Sequence, residues 1–265
     1  SSAASDVYKR QRYFSFEDDE FGSVAPKGFT TVDADHKATV QPLMINYPNI
    51  GNAYAYIVIN QQPEPEGADW RNIYPRSGDQ LLATMATADG TEAVDWIISD
   101  QMTARNDAKF RFYAKSYDGD NTYHPWAYLT VLVSTTDNAV SSFTPLSGFT
   151  SVQVPHKNNN DSQTSWTEFD VDLSAYAGQK IYIAVRNNTP SNGFVTFFDD
   201  FYFENFEYVN SDNSAPYFTT VPETTATVGK KWTYNYSVAD PDGDPLTVTL
   251  QGKPCLLYTS PSPRD

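Results

Sequence analysis

Residues 165–206, SWTEFDVDLSAYAGQKIYIAVRNNTPSNGFVTFFDDFYFENF, constrain the fold more than any other part of the chain. They read as three strands of one sheet. Trp166, Phe169, Val171 and Leu173 run into Ser174-Ala175-Tyr176-Ala177-Gly178, a turn closed by a glycine able to take a positive φ. Ile181, Ile183 and Val185 then alternate with Tyr182, Ala184 and Arg186, the period of two expected of a strand with one buried face. After a polar connection, residues 194–206 form a strongly aromatic strand that contains adjacent carboxylates, Asp199 and Asp200. Neighbours on a pleated strand point to opposite faces, so one of the two must point inward or share a partner. A cation is a natural partner.

The remaining chain follows the same logic. Strands are expected at 14–17, 28–32, 53–60, 81–86, 92–99, 109–116 and 127–134, with polar or Gly/Pro-rich connections between them. Residues 61–78 carry no clear period and read as a long loop. Asp118-Gly119-Asp120-Asn121 reads as a turn, followed by an aromatic loop at 123–126. No amphipathic helix of ten or more residues is visible. Many short strands punctuated by turns predict an all-β fold, an antiparallel jelly-roll β-sandwich. At 209–216 the composition turns polar, which marks a linker. Residues 217–254 begin a second β unit too short to close a sandwich, read as an incomplete Ig-like β-sandwich.

Composition narrows the functional classes. A net charge of −15 repels nucleic-acid phosphate and anionic lipid and suits an extracellular protein or a calcium binder. No run approaches the roughly 18 apolar residues that a membrane helix needs, so no membrane insertion is expected. Residues 1–11 (SSAASDVYKRQ) and 255–265 (CLLYTSPSPRD) resemble translated sequencing-adapter read-through, so the chain is expected to be a metagenomic fragment with non-native tails. The single cysteine, Cys255, falls in the second tail, leaving residues 12–254 without a disulfide, thiolate nucleophile or Cys-type zinc site. His36, His124 and His156 stand in unrelated loops without metalloprotease spacing. With no nucleophile elbow, P-loop or dinucleotide fingerprint, no enzyme is expected.

Residues 12–208 resemble the cleaved-adhesin family, also called choice-of-anchor J. The resemblance rests on Phe14-Ser15-Phe16-Glu17, on GFTTVDAD at 28–35, on DWIIS at 95–99, on DLSAYAGQKIYIA at 172–184 and on the closing Asp199-Asp200. It implies a non-catalytic, calcium-stabilised jelly roll related in shape to MAM domains. Such modules belong to secreted or surface-anchored multidomain bacterial proteins and are linked to adhesion. The chain departs from the family at His36-Lys37, where an Asp-Gly-Asp-Gly-type loop often follows the first Asp-x-Asp. Residues 215–251 resemble the start of a cadherin-like or Ig-like repeat, through Thr227-Val228-Gly229 and the acidic loop at 240–244.

Asp33 and Asp35, one residue apart, can reach one oxygen-loving cation from the same side of an extended loop. With the resemblance, Glu17, Asp33, Asp35, Asp199 and Asp200 become candidates for one structural Ca2+ site pinning the first and last strands together. The alternative is a set of exposed turn acids. Asp240, Asp242 and Asp244 form a second candidate Ca2+ set, or a polar-tipped turn. Trp70, Tyr123, His124 and Trp126 sit in loops where rings can stack on sugars or anchor a protein, or else fold back onto the sheet. The expected role is adhesion to an extracellular glycan or surface protein by a monomeric module within a larger secreted or cell-surface chain. An accessory domain of a secreted peptidase or polysaccharide hydrolase is the other reading.

Overall fold

The computed structural model describes residues 11–41, 47–60, 74–117, 127–157, 166–189 and 193–208, with isolated positions between 217 and 248. The chain divides into two units, Ser1–Val209 and Asn210–Asp265. In the second, β14 (Tyr217–Phe218) pairs antiparallel with β15 (Val238–Ala239).

The spine of the first unit is the antiparallel pair of β6 (Met102–Tyr117) and β13 (Val195–Tyr208). The far edge of β6 carries β11 (Thr167–Asp172) and a short parallel strand, β10 (His156–Lys157). The far edge of β13 carries two strands in succession. Residues 195–198 pair with β4 (Gln80–Met85), which in turn holds β3 (Ile57–Asn60), and residues 201–204 pair with β1 (Gln11–Phe14). Facing this layer is a second one in the order β2 (Phe29–Asp33), β5 (Asp95–Ser99), β12 (Lys180–Asn187) and β7 (Ala127–Ser134). The short strands β8 (Thr144–Pro145) and β9 (Val152–Val154) border β7. Lys180 and Ile181 also pair with the start of β6, so the two layers are one curled antiparallel sheet.

The main core lies between the layers. Phe110, Phe112, Phe198, Phe201 and Phe203 face Ile97, Val131, Ile183 and Val185, all buried. Each fully buried side chain of this size contributes about 1.5–3 kcal/mol. The all-β sandwich therefore follows from the alternation in the sequence.

Three local details go beyond the expectations. Residues 165–206 belong to this one curled sheet, as expected, but not to one layer of it: β11 and β13 flank β6, while β12 crosses to the facing layer between β5 and β7. The crossing is made by a 3-10 turn at Ser174–Tyr176 and by Gly178 at φ 80, which set Ile181, Ile183 and Val185 against the phenylalanines. The first strand ends at Phe14 because Phe16 adopts a left-handed φ of 63. It begins at Gln11, opposite Glu204, so that residue belongs to the fold and not to the leading tail.

Candidate functional site

Asp199 and Asp200 are both fully buried, where β13 bulges between Asp199 and Tyr202. Asp199 lies opposite Tyr113 and Tyr202 opposite Arg111, so β13 spends one extra residue there, and Asp200 takes a left-handed φ of 54. The bulge resets the phase of the strand. Phe198, Phe201 and Phe203 consequently share the main core, which strict alternation would forbid.

At the same point the edge of β13 passes from β4 to β1, and residues 76–77 fill the gap. Asp199 accepts hydrogen bonds from the backbone N–H of Arg76 (2.7 Å), Ser77 (3.2 Å) and Asp200 (2.8 Å). Asp200 accepts from the Ser77 hydroxyl (2.6 Å), the Tyr13 hydroxyl and the Arg76 guanidinium. Burial, and next the Asp200 charge, push the Asp199 carboxyl up to about 7 against the pull of those N–H groups. Glu17 grips the other end of this segment, its Oε1 accepting from the N–H of Asp79 (3.0 Å) and Gln80 (2.7 Å). Gly78 permits this close approach: its φ is 60, and a Cβ there would lie 2.4 Å from the Glu17 carboxyl group. Glu17, Asp199 and Asp200 thus clasp residues 76–80.

The structure divides the expected acidic set between two places. Asp33 and Asp35 converge with Asp95, ligand oxygens of the three lying within 4.8 Å of one another. Asp33 and Asp95 stand directly opposite each other in the β2–β5 register, where like charges repel. His36, at φ 55, turns the chain so that its N–H caps Asp33 (2.7 Å). Asp35 accepts from the N–H of Lys37 (2.9 Å) and, across the turn, of Val94 (2.8 Å). Asp95 is 3% exposed and accepts a 3.3 Å bond from the Thr84 hydroxyl, which itself accepts from the Asn187 amide (3.0 Å), and the Asn187 side chain also bonds Asp95. Burial first, then Asp35 and Asp33, push its carboxyl up to about 9. Lys37, the nearest cation in sequence, turns its ammonium to Asp89 (3.0 Å) instead. Three converging carboxylates, with no ion pair to any of them among the described residues, are a hard-oxygen donor set suited to calcium.

Asp95 is the residue that sequence reasoning missed. Its signal was an acid at the head of the apolar run DWIIS, but the β2–β5 pairing that sets it against Asp33 is not written in any local pattern. Asp240, Asp242, Asp244, Trp70, Tyr123, His124 and Trp126 lie outside the described residues.

The Cleaved Adhesin Domain profile matches residues 66–202, just over half of the chain. The chain belongs to the cleaved adhesin family. Among solved structures it is similar to the K2 cleaved adhesin domain of Lys-gingipain, at TM-score 0.51 and 20% identity over 73% of this chain and 98% of that one. The K1 domain of Lys-gingipain from Porphyromonas gingivalis W83 matches at TM-score 0.48 and 21% identity, over 73% of this chain and 97% of that one. No curated protein matches the sequence. Cleaved adhesin domains are non-catalytic binding modules of secreted or surface proteins. No helix among the described residues is long and apolar enough to cross a membrane.

Proposed function

We propose that this cleaved adhesin domain is an adhesion module stabilised by one structural calcium ion at Asp33, Asp35 and Asp95, which binds an extracellular glycan or surface protein. The convergence of these three carboxylates carries the reading. Without a cation, Asp95 must keep its proton in order to sit opposite Asp33. With one, all three ionise and the turn at 33–37 is tied to the head of β5. The clasp acids are a poorer cation site. Asp199 and Asp200 already accept six hydrogen bonds, one of them from a guanidinium that would repel a second positive charge. Calcium here holds shape, and chemistry at a bound ligand forms no part of its role.

The test is attachment of beads displaying the domain to immobilised mucin and to immobilised collagen, in calcium and in chelator. Attachment to either that weakens several-fold in chelator, and in Asp95→Asn, supports the proposal. Attachment to neither surface, or attachment indifferent to both changes, overturns it.

A further inference from the structure

The alternation of β6 leaves one open face. Its even-numbered residues Phe110, Phe112 and Ala114 enter the core, so Lys109, Arg111 and Tyr113 point outward. Tyr202 on β13 lies opposite Arg111, and Tyr13 on β1 lies opposite Tyr202. The three form a stacked row. The Tyr13 and Tyr202 rings are 4.6 Å apart and 20° from parallel, and the Arg111 guanidinium covers the other side of Tyr202 at 5.0 Å. Beside the row, Arg76 lies 3.5 Å over the Tyr113 ring, whose hydroxyl donates to Glu168 at 2.5 Å. Tyr13 ends the row on an edge strand at 47% exposure, the most exposed aromatic ring of the first unit's described residues.

This face is held rigid from below. The buried Asp200 carboxylate bonds both Arg76 and the Tyr13 hydroxyl, so a single group at the bulge orients two of the platform's outer side chains. Such preorganisation lowers the ordering cost of binding.

Its charges cancel locally. Arg111 pairs with Glu204 (2.6 Å), Lys109 with Asp170 (3.3 Å) and Arg76 with Asp200. What remains is a mosaic of fixed donors and acceptors beside an exposed ring. A polyanion would meet only paired cations among the described residues of this face, on a chain of net charge −15. A protein partner would seek an apolar interface core, and the apolar side chains that β13 turns to this side, Val195 and Phe197, are already buried in a second cluster with residues of β3 and β4. A neutral sugar chain fits both features, because its ring faces stack on tyrosine and its hydroxyls donate and accept in alternation.

The geometry points to this face, centred on Tyr13, Arg111, Tyr113 and Glu168, as a binding platform for a neutral glycan. The inference rests on the binding-module reading and names its site and ligand class.

The experiment is affinity electrophoresis of the full chain through gels containing dextran, galactomannan, arabinoxylan, or the acidic polymer polygalacturonate. At least one neutral polymer is expected to retard the protein. Tyr13→Ala and Glu168→Ala should each weaken that retardation at least tenfold, ~1.4 kcal/mol. Tyr13→Phe, which keeps the ring, should stay within about threefold of wild type, with unfolding midpoints checked for every variant. Retardation that survives both alanine substitutions overturns the platform while leaving a binding module in place. Retardation by polygalacturonate alone overturns the neutral class, and no retardation by any of the polymers overturns the inference whatever the bead assay shows.

Discussion

Replacing Asp200 with alanine tests whether the acidic doublet is a clasp. The substitution removes the acceptor shared by Ser77, Tyr13 and Arg76. Breaking a buried pair by deleting one partner costs about 3–5 kcal/mol. The Arg76 side chain is 32% exposed and can recover water, so the expected loss is at the lower end, about 3 kcal/mol. A second effect runs the other way and depends on pH. The Asp199 carboxyl is raised to about 7 from 3.8, so its contribution is full below about pH 4. It is lost as pH rises towards 7, by up to about 4 kcal/mol, because the unfolded chain releases that proton and the folded one holds it. Burial is the larger cause of the shift and survives the substitution, whereas the Asp200 charge is the next and does not. The gap between wild type and Asp200→Ala should therefore be widest near pH 5 and narrow by about 1 kcal/mol or more towards pH 8. Urea unfolding followed by tryptophan fluorescence in chelator, at each pH unit from 5 to 8, measures it. A gap that widens with pH, or a loss below about 1 kcal/mol at pH 5, refutes the clasp.

Two further substitutions probe the packing. Phe201→Ala empties a ring packed edge-on against Phe16, Phe110 and Phe112, and should cost about 3–5 kcal/mol and lower the thermal midpoint by about 10 °C. Gly22 and Gly178 both sit near φ 80, but a Cβ on Gly22 would lie 2.5 Å from Pro48 whereas one on Gly178 meets nothing within 4 Å. Gly178→Ala should cost roughly 1–2 kcal/mol for the left-handed backbone alone, and Gly22→Ala clearly more, both read from chemical denaturation.

The sequence carried the layers but not their pairing. Period-two runs such as residues 127–134 and 180–187 mark strands directly, since side-chain burial imposes the alternation. The partner of each strand depends on non-local contacts, which is why β12 joins the layer opposite β11 and β13. The bulge was partly legible: Phe198, Phe201 and Phe203 are out of phase by one residue, and the doublet sits in the slip. Whether those carboxylates meet a cation or a guanidinium was not legible, because Arg76 lies more than a hundred residues away in a stretch without periodicity. Asp33 and Asp35 were found by spacing, and Asp95 needed the register.

The calcium reading meets its most direct test in thermal unfolding of the full chain and of Asp95→Asn at pH 7, each in calcium and in chelator. Calcium at a hundredfold excess over its dissociation constant should stabilise the wild type by about 2.7 kcal/mol, a rise of about 5–10 °C. Asp95→Asn should ignore calcium. In chelator it should melt above the wild type, since asparagine brings no charge to bury opposite Asp33. A wild-type midpoint that does not move with calcium, or a variant that responds as the wild type does, would contradict a structural ion at Asp33, Asp35 and Asp95.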